Sequence, residues 1–230
     1  MNRVLERLRD GLVVSCQAYP GEPMLDPRTM TQVVQAAVAG GAVGIRAKGL
    51  DDLRAMRAVI DVPLIGLVKT NDLQVYITPT LDDCRAVAAT GVEIVATDGT
   101  RRARPDGRSL QETIEALKVD WPDVLVMADC GSTADAVAAQ AAGADLVGST
   151  LAGHTGERPM TPGPDWELTD DLVTHCTVPL VAEGRIHSPA DAAESIRRGA
   201  WTVVVGTAIT HPTTITRWFA DAVAAGSSSS

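Results

Sequence analysis

The sequence predicts a single-domain (β/α)8 barrel, on three observations. Eight short apolar or β-branched segments recur along the 230 residues, Ala-rich segments lie between them, and several of these Ala-rich segments end at a glycine. The apolar segments lack strict alternation, which is typical of parallel strands that are buried on both faces. One such barrel needs about 250 residues. We therefore expect one barrel over residues 1–225, with a doubly wound open sheet as the structural alternative.

The eight strands are predicted because each segment is short and rich in apolar or β-branched residues. Each is separated from the next by enough chain for one covering helix, as a parallel sheet requires. In order, the predicted strands are Val13–Cys16, Val43–Ala47, Pro63–Val68, Val92–Thr97, Val124–Asp129, Asp145–Thr150, Val178–Glu183 and Trp201–Thr207.

The segments between the strands are predicted to be amphipathic helices. Several stop at a glycine, such as Gly91, Gly143 and Gly199, because glycine readily adopts the left-handed conformation that closes a helix. The serine-rich end, residues 226–230, is predicted to be a disordered tail. The predicted helices include Met30–Ala39, Asp52–Ile60, Leu81–Thr90, Leu110–Leu117, Ala134–Ala142, Pro189–Arg198 and Thr213–Ala224.

The composition excludes membrane and secreted proteins. The chain is 45% apolar and 21% charged, which is ordinary for a globular protein with a large core. Its apolar runs are far shorter than the ~18 residues of a membrane span. The first ten residues mix charges too finely for a signal peptide. We therefore expect a cytoplasmic protein that does not contact membranes.

The net charge and the cysteines exclude further classes of partner. A net charge of −9 is unfavourable for binding nucleic acid. The run Arg101–Arg104 is the local exception; we expect it to be solvated or ion-paired, with contact to a sugar or a second subunit as the alternative. The four cysteines stand far apart without a CxxC pair, so neither a zinc site nor a disulfide framework is predicted.

Polar residues directly follow most of the predicted strands. In a (β/α)8 barrel the catalytic groups come from the C-terminal ends of strands and the loops that follow, because these meet at one mouth. Several charges around one mouth indicate a polar ligand with several oxygen atoms. The residues selected in this way are Gln17, Arg46, Lys69, Asp98, Asp129, Thr150 and Glu183.

Two glycine-containing loops follow the seventh and eighth strands, at Gly184–Arg185 and Gly206–Thr207. Barrels often bind phosphate where these loops meet a short extra helix, whose N-terminal amides favour an anion. We therefore predict a phosphate site at Gly184, Arg185, Gly206 and Thr207. The alternative is that the two glycines only form tight turns.

With these residues collected, the sequence resembles the N-acetylmannosamine-6-phosphate 2-epimerase family from about Leu12 to Phe219. No single motif is diagnostic, but their order and spacing together are highly specific. The motifs are Val14–Ala18, Pro20–Pro23, Gly40–Ala47, Pro63–Lys69, Ile77–Thr80, Asp98–Arg101, Met127–Asp129, Ala182–Ile186 and Val204–Thr210.

The resemblance implies an isomerase that interconverts N-acetylmannosamine 6-phosphate and N-acetylglucosamine 6-phosphate in sialic-acid catabolism, without a metal or redox cofactor. It implies that Lys69 and Glu183 are catalytic, and that Gln17, Arg46 and Asp129 bind the sugar. It also implies a homodimer.

Three positions depart from the family's pattern. His211 stands where the family commonly has arginine, His154 replaces a tyrosine, and Gly131–Ser132 replaces a Ser-Thr pair. We expect His211 to contact the substrate. A neutral imidazole supplies less charge than a guanidinium and no bidentate fork, so affinity for the phosphate or sugar is expected to be lower.

Inversion at C2 removes a hydrogen that is acidic only beside an aldehyde, so the sugar ring must open first. Lys69 is interpreted as the base, which requires an amine that is uncharged part of the time; phosphate binding or pairing with Glu183 is the alternative. Glu183 is expected to assist ring opening, anchor the sugar or relay a proton, unless it only forms a salt bridge. The alternative functions are a Schiff-base aldolase and a catalytically weakened sensor of amino-sugar phosphates.

Overall fold

The computed structural model describes residues 2–70 and 74–227. Its eight parallel strands form a closed barrel, in which each strand pairs with the next and β1 pairs with β8. The closed barrel confirms the predicted fold class, and the open-sheet alternative is wrong. The strands are β1 Gly11–Cys16, β2 Gly44–Lys48, β3 Leu64–Leu67, β4 Ile94–Asp98, β5 Leu125–Asp129, β6 Leu146–Gly148, β7 Leu180–Glu183 and β8 Thr202–Val205.

The observed strands lie within the predicted segments except at some of their ends. At the C-terminal ends, the largest differences are at β6 and β8, where the sequence predicted Asp145–Thr150 and Trp201–Thr207. The residues that follow these strands have already left the sheet, and Thr207 begins a short helix instead. The residues that leave the sheet at these two points contribute to the barrel mouth.

Helices cover the outside of the barrel, and most begin with a side-chain cap. Thr80, Ser109 and Ser188 each form a capping box, in which the cap and a carboxylate three residues later satisfy each other's backbone amides. The helices are α1 Arg3–Leu8, α2 Pro27–Ala39, α3 Leu50–Arg57, α4 Leu81–Ala88, α5 Leu110–Asp120, α6 Thr133–Ala141, α7 Trp166–His175, α8 Pro189–Arg197, α9 Thr207–Thr210 and α10 Pro212–Ser227.

No bounds were predicted for α1 and α7, whereas α9 is the short extra helix expected beside the glycine loops. Helix α7 is capped by Asp165 and buries Leu168, Thr169 and Leu172, an apolar stripe too short to stand out in the sequence. Helix α10 runs to Ser227, so Gly226 and Ser227 are helical and not part of a disordered tail. The remaining tail, residues 228–230, lies outside the described residues. No helix in the described part of the chain is long and apolar enough to span a membrane.

The core has two parts, one between strands and helices and one inside the barrel. Helix α1 closes the N-terminal end of the barrel, where Leu5 and Leu8 join the interior cluster. Close packing there requires glycine at position 44, because a Cβ would lie 2.6 Å from Leu8 Cδ2. With this end filled, the opposite mouth is left for a ligand.

Candidate active site

A buried ion cluster lies at the C-terminal ends of the strands. Arg46 of β2 is 1% exposed, and its Nη2 donates to Asp129 Oδ2 of β5 at 2.7 Å while Nη1 donates to Oδ1 at 3.1 Å. Arg46 Nη1 also lies 3.2 Å from Glu183 Oε2 of β7. One guanidinium therefore holds two carboxylates from different strands. We call Arg46, Asp129, Thr150 and Glu183 the ion cluster.

The chain after β6 completes this cluster. Thr150 Oγ1 lies 2.5 Å from Asp129 Oδ1 and 3.2 Å from Glu183 Oε2. Next to it, the Ser149 hydroxyl accepts a hydrogen bond from the Glu183 amide at 3.0 Å and donates one to the Glu183 carbonyl at 2.9 Å. Both the backbone and the carboxylate of Glu183 are therefore fixed before any ligand arrives.

Burial sets the protonation of the cluster. It raises the pKa of Glu183, and the charge of Asp129 adds to this effect, while Arg46 and Lys69 oppose it. For Arg46, burial acts to lower the pKa, but the charges of Asp129 and Glu183 outweigh it and the net shift is upward. Glu183 therefore keeps its proton to a higher pH than an ordinary glutamate, beside a permanently charged guanidinium.

Lys69 lies two residues after the end of β3. Its backbone bridges to Ile77, and the Thr70 amide donates to the Tyr76 carbonyl at 2.9 Å. The side chain is half-buried, and its Nζ lies 3.1 Å from Tyr19 Oη. The amine is thus placed by the loops that follow β1 and β3, two strands separated by β2, and not by a strand itself.

One cavity at the barrel mouth, of about 140 Å³, contains most of the predicted site. Of the residues predicted to form the site, all but Arg46, Asp98, Asp129 and Thr150 line it. Arg46, Asp129 and Thr150 belong to the ion cluster with Glu183, whereas Asp98 pairs with Arg102. The lining residues are Ser15, Gln17, Tyr19, Lys69, Glu183, Gly184, Arg185, Ile186, His187, Val204, Gly206, Thr207 and His211.

Gln17 lines this cavity and has a buried acceptor without a partner. Its Nε2 donates to Ser15 Oγ at 2.9 Å, while its Oε1 is buried without a hydrogen-bond partner. A buried polar atom without a partner costs free energy, so such atoms in folded proteins call for an explanation. An N–H donor on a ligand would satisfy this oxygen.

The two glycine loops meet at the cavity but differ in detail. Gly184 has a φ of 117°, which favours glycine, and Gly206 approaches Ser15 closely enough that a Cβ would lie 3.2 Å from the Ser15 Cβ. The Gly206–Thr207 turn leads into α9, as the predicted short extra helix requires. Gly206 therefore serves close backbone approach, while Gly184 serves the turn.

Arg185, predicted to bind phosphate, holds a neighbouring loop with its guanidinium. Its nitrogens donate to the carbonyl oxygens of Gly163 at 2.9 Å and Ala152 at 2.8 Å, and to Thr161 Oγ1 at 3.0 Å. The residue lines the cavity, but these three bonds commit its head group to the loop between β6 and α7. Phosphate contact by Arg185 stays a prediction.

The two histidines that replace family residues lie in mouth loops. His211 lines the cavity, with Nδ1 3.5 Å from Glu22 Oε1 and its ring 5.6 Å from the Tyr19 ring. Burial lowers the pKa of His154, and the charges of Arg185 and Lys69 act in the same direction. His154 is therefore biased towards its neutral form.

The arginine run after β4 is ion-paired, as expected. Arg101 pairs with Asp135 and Glu157, and Arg102 pairs with Asp98. A cavity of about 380 Å³ lies beside this loop, but its lining is separate from the mouth residues. Asp98, selected from the sequence as a strand-end residue, therefore belongs to this loop and not to the candidate site.

The sequence matches a family described as "Putative N-acetylmannosamine-6-phosphate epimerase" over residues 30–225. A relative from Cutibacterium acnes is 55% identical over 224 residues, with 96% of this chain and 97% of that protein covered. The chain belongs to this epimerase family. A second relative, from Caldanaerobacter subterraneus subsp. tengcongensis, is 42% identical over 218 residues, covering 94% of this chain and 92% of its own length. Both relatives are named "Putative N-acetylmannosamine-6-phosphate 2-epimerase".

Solved structures agree with the family assignment. The N-acetylmannosamine-6-phosphate 2-epimerase from Clostridium perfringens superposes with a TM-score of 0.91 at 34% identity, covering 95% of this chain and 96% of that one. A thiamine phosphate pyrophosphorylase from Pyrococcus furiosus gives a TM-score of 0.59 at 18% identity, which shows a shared fold alone.

Within this epimerase-family barrel, the structure adds cavity residues that the sequence did not single out. Ser15, Tyr19, Ile186 and His187 all line the mouth. Tyr19 had a weak signal, since it lies two residues after Gln17 in the same loop. Among the described residues, no group of three or more His, Cys, Asp or Glu is arranged to hold a metal ion.

Proposed function

We propose that the chain interconverts N-acetylmannosamine 6-phosphate and N-acetylglucosamine 6-phosphate by removing and returning a proton at C2. One observation carries this proposal. Lys69 and Glu183 line one cavity together with both glycine loops and with Gln17, whose buried Oε1 has no partner. A base, a proton-carrying carboxyl, an amide acceptor and an anion-binding turn are the groups that this substrate requires.

Lys69 acts as the base at C2. Its Nζ reaches the cavity through a flexible stem, and it shares the mouth with the fixed carboxyl of Glu183. Once the ring is open, the aldehyde at C1 makes the C2 hydrogen acidic, and an uncharged amine can accept it. Delivery of a proton from the amine, whose protons exchange with solvent, to the opposite face gives the other epimer.

Glu183 serves the oxygen atoms next to C2. Because burial raises its pKa, it can donate its proton to the ring oxygen as the ring opens, and the carboxylate left behind takes the proton of the C1 hydroxyl. The carboxyl regenerated in this way then donates a hydrogen bond to the enolate oxygen that forms at C1. Arg46 and Thr150 fix its carboxyl, so this group does not have to reorganise during the reaction. Removing the orienting guanidinium would leave two buried carboxylates facing each other.

The remaining groups set the substrate. The Oε1 of Gln17 accepts the N–H of the 2-acylamino group, and the amides of Gly206 and Thr207 bind the phosphate near His211. Because Gln17 recognises the N–H and not the acyl methyl, we propose the broader activity of an N-acylglucosamine-6-phosphate 2-epimerase. No observation favours an aldolase or a sensor without turnover.

The test is deuterium exchange followed by proton NMR. In D2O, we expect the wild type to lose the C2–H signal of N-acetylmannosamine 6-phosphate and to give a mixture of both epimers. Lys69→Met should slow exchange by at least about 10³-fold, as loss of a general base does. The matched control is Lys118→Met, because Lys118 only pairs with Asp145 on the far side of the fold.

Two outcomes would contradict the proposal. Full exchange in Lys69→Met would remove the lysine from the reaction. A stable adduct on Lys69 after borohydride treatment with substrate, without C2 exchange, would favour the aldolase.

We also propose that the protein is a homodimer. Helix α10 has no buried residue among those described, and Phe219 and Val223 are 71% and 70% exposed. Beside it lies an apolar groove of about 400 Å³ between α8 and the strands β1 and β8. A large apolar surface on a closed barrel is typical of an interface between subunits.

Light scattering on size-fractionated protein tests the dimer. The wild type should have twice the mass of one chain, and the pair Phe219→Ser and Val223→Ser should shift it towards the monomer. A wild-type monomer would contradict the proposal without affecting the proposed chemistry.

A further inference from the structure

Two of the chain's three lysines lie against one tyrosine at the cavity. Lys69 Nζ is 3.1 Å from Tyr19 Oη, and Lys48 Nζ is 4.3 Å from the centre of the Tyr19 ring. Lys48 is also fixed by the Ala18 carbonyl, which accepts from its Nζ at 2.7 Å. The hydroxyl of Tyr19 therefore meets one amine, while its ring rests against the other.

Two further residues, Glu22 and His211, also help to hold Tyr19 in place. The Tyr19 amide donates to Glu22 Oε2 at 2.6 Å, and the other carboxylate oxygen of Glu22 lies 3.5 Å from His211 Nδ1. The His211 ring is 5.6 Å from the Tyr19 ring. We call Tyr19, Glu22, Lys48, Lys69 and His211 the tyrosine cluster. Contacts from a carboxylate, an imidazole and an ammonium keep the phenol at one place in a loop.

Lys48 is suited to be the fixed partner of this pair. Burial lowers its pKa, and the charge of Lys69 acts in the same direction, which shows that the two amines lie within electrostatic reach of each other. A cation over an aromatic face is attracted to it, and more strongly where water is partly excluded. Lys48 can thus hold the ring without touching the substrate.

We propose that Tyr19 is a positioning residue for Lys69, and that Lys48 acts on Lys69 through the Tyr19 ring. When the Tyr19 oxygen accepts one N–H, rotation about the Cε–Nζ bond is restricted, so the lone pair of the uncharged amine points into the cavity. This inference rests on the proposed function of Lys69 as the base. It adds a residue that only the loop geometry reveals.

The test is the steady-state kinetics of Tyr19→Phe, which keeps the ring and removes the hydroxyl. We expect kcat to fall about 10-fold, because misorientation of a reacting group affects the chemical step. KM should change less than about twofold, since the hydroxyl is not assigned to the substrate. Loss of folded protein would instead change the active fraction, which thermal unfolding and active-site titration would show.

A double-mutant cycle tests the role of Lys48. Lys48→Met should lower kcat about threefold in the wild-type background and have no further effect in Tyr19→Phe, because residues in one contact chain are not additive. Lys118→Met is the matched control and should leave kcat unchanged in both backgrounds.

Three results have distinct meanings. A Tyr19→Phe enzyme with wild-type kcat would overturn the inference, as would a Lys48→Met effect that multiplies in the Phe background. A wild-type protein without C2 exchange would overturn the proposed function instead.

Discussion

The ion cluster and the tyrosine cluster face the same cavity but are built in different ways. In the ion cluster, three of four residues lie within strands, and the exposed fractions of the Arg46, Asp129 and Glu183 side chains are 1%, 0% and 14%. The tyrosine cluster comes mostly from loops, and Tyr19 is 36% exposed. The charges of the ion cluster are therefore part of the core, while those of the tyrosine cluster lie at the edge of the core.

This difference indicates a division of tasks. Strand residues in a closed barrel have fixed backbones, so groups that must not reorganise during the reaction are placed there. The base must exchange protons and approach both faces of C2, which suits a long side chain on a loop. We therefore expect substitutions in the ion cluster to affect folding first, and those in the tyrosine cluster to affect kinetics first.

The largest expected effect on stability is that of Arg46→Met. This change leaves two buried carboxylates without their cation, and breaking a buried ion pair from one side costs about 3–5 kcal/mol. Urea unfolding should show that loss in the free energy of unfolding. The control is Arg54→Met, whose exposed pair with Asp51 contributes about 0–1 kcal/mol. Equal stability of the two variants would show that the clusters do not differ as described.

The same contrast explains what could be predicted from the sequence. Arg46, Asp129 and Glu183 were found because each ends an apolar run, and the geometry of a barrel brings such residues to one mouth. Tyr19 was not found, since no period or motif fixes where a loop side chain points. Lys48, the last residue of β2, was not selected either, because its role depends on the position of the Tyr19 ring. The three-bond attachment of Arg185 to the loop after β6 likewise depends on a loop conformation that the sequence pattern does not encode.

The ends of the strands and helices were predicted less well than the strands themselves, for the same reason. All eight strands were predicted, but segments such as Trp201–Thr207 included residues that belong to the mouth. No bounds were predicted for α7, because a stripe around Leu168 and Leu172 is weak beside the Ala-rich helices. Buried residues that recur at a regular spacing can be recognised in a sequence, whereas short helices and irregular loops cannot.

A smaller effect should come from the proton on Glu183. Its raised pKa means that the folded chain keeps this proton at a pH where the unfolded chain has released it. The resulting stabilisation is complete below the ordinary value of 4.5 and is lost as the pH rises through the folded-state pKa. The free energy of unfolding of the wild type should therefore fall, relative to that of Glu183→Gln, as the pH rises above about 4.5.

Urea titrations at several pH values measure this difference. The control is Glu115→Gln on the exposed face of α5, which leaves Glu183 in place and should keep the wild-type slope. A relative slope of the opposite sign for Glu183→Gln would mean that Arg46 outweighs burial at this carboxyl.

The smallest expected effect is that of His211→Arg, which tests whether a loop residue of the site can be substituted with little change in kcat. An arginine supplies a permanent charge and two parallel donors for phosphate, so we expect KM for the phosphorylated sugar to fall about 3- to 10-fold with little change in kcat. The KM for the unphosphorylated sugar should not fall. His175→Arg, at the end of α7, adds the same charge outside the cavity lining and is the control. An unchanged KM would place the phosphate away from His211, whereas a lower kcat would mean that the new guanidinium takes Glu22 from Tyr19 and so disturbs the base.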